Sequence, residues 1–119
     1  MKTLVVGAST NTERYSFKAA KMLLANGHEV ELLGKRVGEI DGKIINTTSH
    51  FDFENIDTIT MYVGPNHQPD LYDYLLGLKP RRIIFNPGTE NEVFEKRAEN
   101  EGIIVEEACT LVLLSTKQY

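Results

Sequence analysis

Thr3-Leu4-Val5-Val6-Gly7-Ala8-Ser9-Thr10, near the amino end of the chain, is the stretch around which the rest is organised. Thr3 to Val6 is a short apolar run of the kind that forms a strand buried on both faces of a parallel sheet. Gly7 ends it where a side chain would obstruct a sharp turn. Small polar residues follow, and then an amphipathic pattern predicts a helix over residues 16–26. Strand, Gly-led turn and helix aim free backbone N–H groups and a helix N-terminus at an anion. The turn is therefore read as the phosphate cradle of a nucleotide-type ligand. It is not the dinucleotide fingerprint, because Ser9 and Thr12 stand where further glycines would, and no Gly-Lys-Ser/Thr of a P-loop is present. An ordinary strand-to-helix turn that binds nothing has the same outline. The hydroxyls of Ser9, Thr10 and Thr12, with Arg14 and Lys18 beyond, favour a polyanion.

Outward from this stretch, Phe17, Ala20, Leu23, Leu24 and Gly27 fall on one face of the predicted helix, and Asn26-Gly27 stops it. Residues 29–33 form a second strand, with Gly34-Lys35-Arg36 as the turn after it. A dinucleotide-binding unit places there an acidic residue for the ribose hydroxyls of NAD. Lys35 and Arg36 instead suit a phosphate on the adenosine ribose, as in NADP or coenzyme A, although a Lys-Arg pair on a loop is also simply well solvated. Residues 37–53 are the least regular stretch: 40–43 reads as a turn, 43–46 as a short strand, and Thr47-Thr48-Ser49-His50 as a loop or helix cap. A strand over 57–63, a helix over 69–78 with Leu71, Tyr74, Leu75 and Leu78 on one side, and a strand over 82–85 follow. A charged helix over 90–100, with Val93, Phe94 and Ala98 inward, and a strand over 103–105 come next. The apolar tail 109–114 fits an added strand or a closing helical turn equally well.

Strands alternating with helices imply right-handed crossovers and a parallel sheet. The expectation is a three-layer, Rossmann-like α/β fold of about five mostly parallel strands with helices on both faces. Gly7, Gly34, Gly64-Pro65 and Asn86-Pro87-Gly88 each follow a strand, so the candidate groups converge on the carboxyl edge, where open α/β sheets bind ligands. At 119 residues, 41% hydrophobic and 25% charged, the chain reads as one globular domain, residues 1–119. It has no membrane-length apolar run and no signal-peptide layout, and its one cysteine forms no internal disulfide, so a cytoplasmic location is expected. A net charge of −4 without a basic stripe argues against nucleic acid. It does not argue against a phosphorylated small molecule.

Gly7-Ala8-Ser9 with Glu13-Arg14-Tyr15-Ser16, Asn86-Pro87-Gly88 with Glu90-Asn91-Glu92, and Glu107-Ala108-Cys109-Thr110-Leu111 resemble the small, single-domain CoA-binding protein family. That family is related to the nucleotide-binding domain of the succinyl-CoA synthetase alpha subunit, and the resemblance covers nearly the whole chain. It implies a Rossmann-like fold that holds coenzyme A or an acyl-CoA, with the Gly7-Ala8-Ser9 turn on the diphosphate and Arg14 and Tyr15 flanking it. Lys35, with Arg36 beside it, would face the adenosine end. Val63-Gly64-Pro65 and Asn86-Pro87 would line the path of the pantetheine arm. Family members often carry Asn-Pro before that lysine; this chain has Leu33-Gly34. The resemblance supports binding rather than catalysis.

The residues agree: no Ser/His/Asp set, paired carboxylates or metal-ligand spacing is visible, and no catalytic or metal-binding residue is assigned. His28, His50 and His67 lie far apart and read as surface or capping residues, His67 being nearest the presumed ligand edge. Cys109 reads as a small buried apolar residue, with a thiol near the end of the pantetheine arm as the alternative. Three functions stay open: a non-catalytic coenzyme A or acyl-CoA binding module, a small NADP-linked or other nucleotide-dependent enzyme, and an interaction protein with a vestigial nucleotide site.

Overall fold

A computed structural model describes residues 2–47 and 51–119. The reading of Thr48, Ser49 and His50 as loop or cap, and of His50 as a surface residue, lies outside the described residues. The apolar runs form β1 (Lys2–Val6), β2 (Glu29–Leu33), β4 (Lys43–Asn46), β5 (Ile56–Met61), β6 (Arg82–Phe85) and β7 (Ile104–Glu107). A two-residue strand, β3 (Glu39–Ile40), makes a hairpin with β4. Asp41 and Gly42, with φ of 48° and 86°, form its turn, since these residue types tolerate left-handed backbone. The sheet thus has seven strands rather than about five. β3 escaped prediction because two residues carry no periodicity.

The strand order is β3-β4-β2-β1-β5-β6-β7, parallel throughout except for β3 against β4. β1 lies in the middle, and the chain winds outward from it first through β2 and then, from β5, in the opposite direction. The switch point therefore lies between β1 and β5, and the crevice at their carboxyl ends is where such sheets bind ligands.

Alternate residues of the buried strands feed two cores, as a period of two requires. Leu4, Val6, Ile59, Met61, Ile83 and Phe85 pack with Leu75, Leu76, Phe94 and Ala98 of α2 (Tyr72–Gly77) and α3 (Glu92–Asn100). Val5, Val30 and Leu32 pack on the other face with Ala20, Leu23 and Leu114 of α1 (Tyr15–Ala25) and α4 (Thr110–Ser115). Helices on both faces of a mostly parallel sheet give the expected three layers. Among the described residues, no helix is long and apolar enough to cross a membrane.

Several local expectations need correction. The buried face of α1 is Ser16, Ala19, Ala20 and Leu23, with Phe17 and Leu24 at its margins. The pattern had centred on the larger side chains, but close packing on the sheet selects small ones. The predicted helix over 69–78 opens as a 3₁₀ turn, Pro69–Leu71, and becomes α-helical only from Tyr72, with Leu76 among its buried residues. Val93 is exposed rather than inward, because Phe94 and Ala98 set the buried line of α3. The tail forms α4, a helix and not a strand. Cys109, at the N-cap of α4, is half-buried rather than a core residue; its neighbour Thr110 takes the buried position.

Candidate functional site

The turn after β1 is locked before it reaches the crevice. Gly7 has φ +98°, and a Cβ there would stand 2.9 Å from the backbone of Tyr62, so both conformation and space require glycine. The N–H groups of Gly7 and Ala8 both donate to the Leu33 carbonyl, at 2.8 and 2.9 Å. They are therefore not free for a ligand, and the Ala8 side chain is buried. A Cβ on Gly34 would lie 2.3 Å from the Ala8 carbonyl oxygen. The departure Leu33-Gly34 thus has a physical reason here: the β1–α1 turn rests directly on that position.

Beyond Ala8 the backbone opens. The Asn11 N–H donates to Ser9 Oγ at 3.0 Å and the Glu13 N–H to Asn11 Oδ1 at 3.0 Å, which shapes the loop. The N–H groups of Ser9, Thr10 and Thr12 have no acceptor among the described residues. α1 then begins at Tyr15 behind an extended N-cap, Arg14, whose side chain caps nothing, and its first turn holds no acidic residue. Its orphan N–H groups and positive dipole end are left unneutralised. Arg14 and Tyr15 are exposed, with Lys18 Nζ 5.4 Å from the Tyr15 ring centroid.

A cleft of about 230 Å³ lies against this helix end. Gly7, Arg14, Tyr15, Gly64 and Pro87 line it, with Ser16 and Gly88 from the same sequence motifs and two residues with no binding role expected from the sequence, Tyr62 and Thr89. Below the roughly 300–1,000 Å³ of a drug-sized pocket, it suits one segment of a long ligand whose remainder lies along the surface. Lys35 and Arg36 are exposed on the loop after β2, outside the cleft, and carry no ion pair among the described residues. Ser9, Thr10, Val63 and Pro65 also lie outside its lining.

Asn86 is 2% exposed and does not reach the cleft surface. Its Nδ2 donates to Thr60 Oγ1 at 2.7 Å and the Met61 carbonyl at 2.9 Å, and its Oδ1 accepts the Thr110 N–H at 2.8 Å. These bonds tie β5, β6 and α4 together, so Asn86 shapes the site from beneath. The Tyr62 hydroxyl is buried near Thr110 and Thr60 without an aligned hydrogen bond to either, and burial pushes its pKa up to about 12. No pattern in the sequence marks Tyr62, because its position depends on the β1–β5 pairing.

α3 starts on the same sheet edge but is closed. Asn91 Oδ1 accepts the Phe94 N–H at 3.1 Å, and Glu95 reaches back to the Asn91 N–H at 3.0 Å, a reciprocal cap. Burial, with the nearby Glu107 carboxylate, raises the Glu95 pKa. His67 is exposed on the 3₁₀ turn Pro65–His67, and His28 packs its ring edge on Tyr119. Among the described residues, no three His, Cys, Asp or Glu gather to hold a metal ion. A larger hollow of about 420 Å³ beside β4 is lined by Phe51, Phe53 and Ile44, and among the described residues its one cation, Lys43, is paired to Glu31 at 3.3 Å.

The profile of a family described as a CoA binding domain matches residues 1–115. A crystal structure of an uncharacterized protein is 44% identical, with a TM-score of 0.96, over 99% of this chain and 97% of that one. A Thermus thermophilus protein (20% identical, TM-score 0.86, 99% and 90% covered) has the same fold. So does a hypothetical protein from Pyrococcus horikoshii (22%, 0.85, 97% and 81%). No curated protein matches the sequence. The chain belongs to the CoA-binding domain family.

Proposed function

We propose that this member of the family is a non-catalytic binding protein for coenzyme A or an acyl-CoA, with a regulatory role set by that ligand. The observation that carries the reading is the N-terminus of α1. It lies at the switch point of the sheet, has no capping side chain and no acid in its first turn, and opens on the cleft beside Arg14. A diphosphate supplies the acceptors that this helix end lacks. Ser9, Thr10 and Thr12 would offer N–H and hydroxyl donors to it, and Tyr15 would cover it. Lys35 and Arg36, exposed on the adjoining loop with no ion pair among the described residues, would take the phosphate on the adenosine ribose. Gly64, Pro87, Gly88 and Thr89 would border the pantetheine arm. Ala8 and Asn86 act from below, as scaffold.

Binding to the folded state alone stabilises it, by about 2.7 kcal/mol at a hundred times the dissociation constant, a shift of several degrees for a chain of this size. Coenzyme A is expected to raise the melting temperature, and NAD to leave it unchanged. A flat response to millimolar coenzyme A would sink the reading. A shift with NADP as large as that with coenzyme A would favour the nucleotide-dependent enzyme instead.

A further inference from the structure

We infer that Gln68 is a positioning residue that holds the far wall of the cleft in place for the pantetheine arm. Gln68 is fully buried, which is unusual for its type. Its Nε2 donates to the Val63 carbonyl and to the Thr89 carbonyl, both at 2.8 Å. Its Oε1 accepts Asn91 Nδ2 at 2.9 Å. One amide therefore joins the loop after β5, the loop after β6 and the N-cap of α3.

The two loops meet at two levels. At their bases Asn86 binds the Met61 carbonyl. Farther out, where Gly64 and Thr89 line the cleft, the tie is Gln68. Each donated bond ends on a backbone carbonyl, so it fixes the path of the main chain and not merely a side chain. Losing the amide would leave buried carbonyls unpaired and free the two loops to move apart. The opposite wall, formed by Gly7 and the start of α1, is fixed separately through Leu33 and does not depend on Gln68.

This division gives a distinctive expectation, which rests on the coenzyme A reading above. The phosphates and adenosine would lie against the α1 side, and the pantetheine arm against the wall that Gln68 holds. Gln68 should then matter for coenzyme A and not for adenosine 3′,5′-bisphosphate, which has no pantetheine arm.

The experiment is calorimetric titration of both ligands into wild type, Gln68→Met, the shorter amide Gln68→Asn, and Tyr72→Phe. Tyr72 donates nothing to the loops but its hydroxyl accepts a second Asn91 Nδ2 bond at 2.8 Å, so its loss perturbs the same network away from the wall. Gln68→Met is expected to weaken coenzyme A about tenfold and to leave the bisphosphate within about twofold of wild type. Gln68→Asn should do the same in smaller measure, and it carries the test if the Met variant fails to fold. Tyr72→Phe should lower the melting temperature with both affinities intact. Equal losses for the two ligands in the Gln68 variants, or unchanged coenzyme A affinity in a folded one, would overturn the inference. Wild type that binds neither ligand would overturn the coenzyme A reading itself, and the positioning role with it.

Discussion

At the carboxyl edge of the sheet, the first turn of α3 is closed by its own side chains and the first turn of α1 is open. Asn91 and Glu95 satisfy each other's backbone at α3, with two acidic residues, Glu92 and Glu95, against the dipole. At α1 the cap residue is an extended Arg14, there is no acid in the first turn, and the N–H groups of Ser9, Thr10 and Thr12 before it have no acceptor among the described residues. A cap adds roughly 0.5–2 kcal/mol to stability, so leaving one out where a similar helix has one is a measurable sacrifice. On the coenzyme A reading, the α3 end is structural and the α1 end is left for an anion from outside. The open end is also the one at the switch point, beside the cleft.

The comparison breaks most drastically at Gly7. Gly7→Val forces a branched side chain into left-handed backbone, at about 1–3 kcal/mol, and into the Tyr62 main chain, at about 1–3 kcal/mol more. Denaturant unfolding should show that loss, and coenzyme A binding should vanish in whatever remains folded. Asn91→Ala at α3 should cost the roughly 0.5–2 kcal/mol of a cap, and in addition the bonds that Asn91 Nδ2 gives to Gln68 and Tyr72, with coenzyme A binding retained. A folded Gly7→Val that binds as wild type would move the phosphate site elsewhere.

A smaller effect is expected at the loop interlocked with the open turn. If Lys35 pairs with the ribose phosphate, the charge-assisted bond contributes roughly 1.5–3 kcal/mol, about ten- to a hundredfold in affinity. Lys35→Ala should weaken coenzyme A by that factor and barely touch dephospho-coenzyme A, with a larger loss when Arg36 is also removed. Equal losses for the two ligands, read by calorimetry, would mean that these cations act only through the general field.

The mildest and sharpest test converts one helix end into the other. Arg14→Asp places an acceptor and a negative charge where α3 has Asn91. The unliganded protein should gain about 0.5–2 kcal/mol, because the helix is now capped, while coenzyme A binds more weakly. Stability and affinity moving together, rather than in opposite directions, would show that the open end is not where the anion sits.

Much of the fold could be read from the residues, and for a physical reason. β2, β4 and β6 have the limits their apolar runs set, since a strand inside a parallel sheet carries its burial in its own sequence. The edge of the site was readable because Gly and Pro mark where strands end. The details depended on contacts between distant segments. The Gly7 and Ala8 N–H groups are taken by Leu33, 26 and 25 residues away. Asn86 turns inward because Thr60 and Thr110 meet it. Gln68 looks like any surface glutamine before a proline until the loops from β5 and β6 close over it. The half-buried Cys109 went the same way: a free cysteine is most often core, but here the helix start turns Thr110 inward instead.

The most direct test of the open α1 end is the amide spectrum of the isotope-labelled protein during titration with coenzyme A. The account predicts the largest shifts at the amides of Ser9, Thr10, Thr12, Tyr15 and Ser16, with the Phe94 amide at the capped start of α3 nearly still. Shifts centred on Phe94 and its neighbours, with the Ser9 to Ser16 amides unmoved, would contradict it.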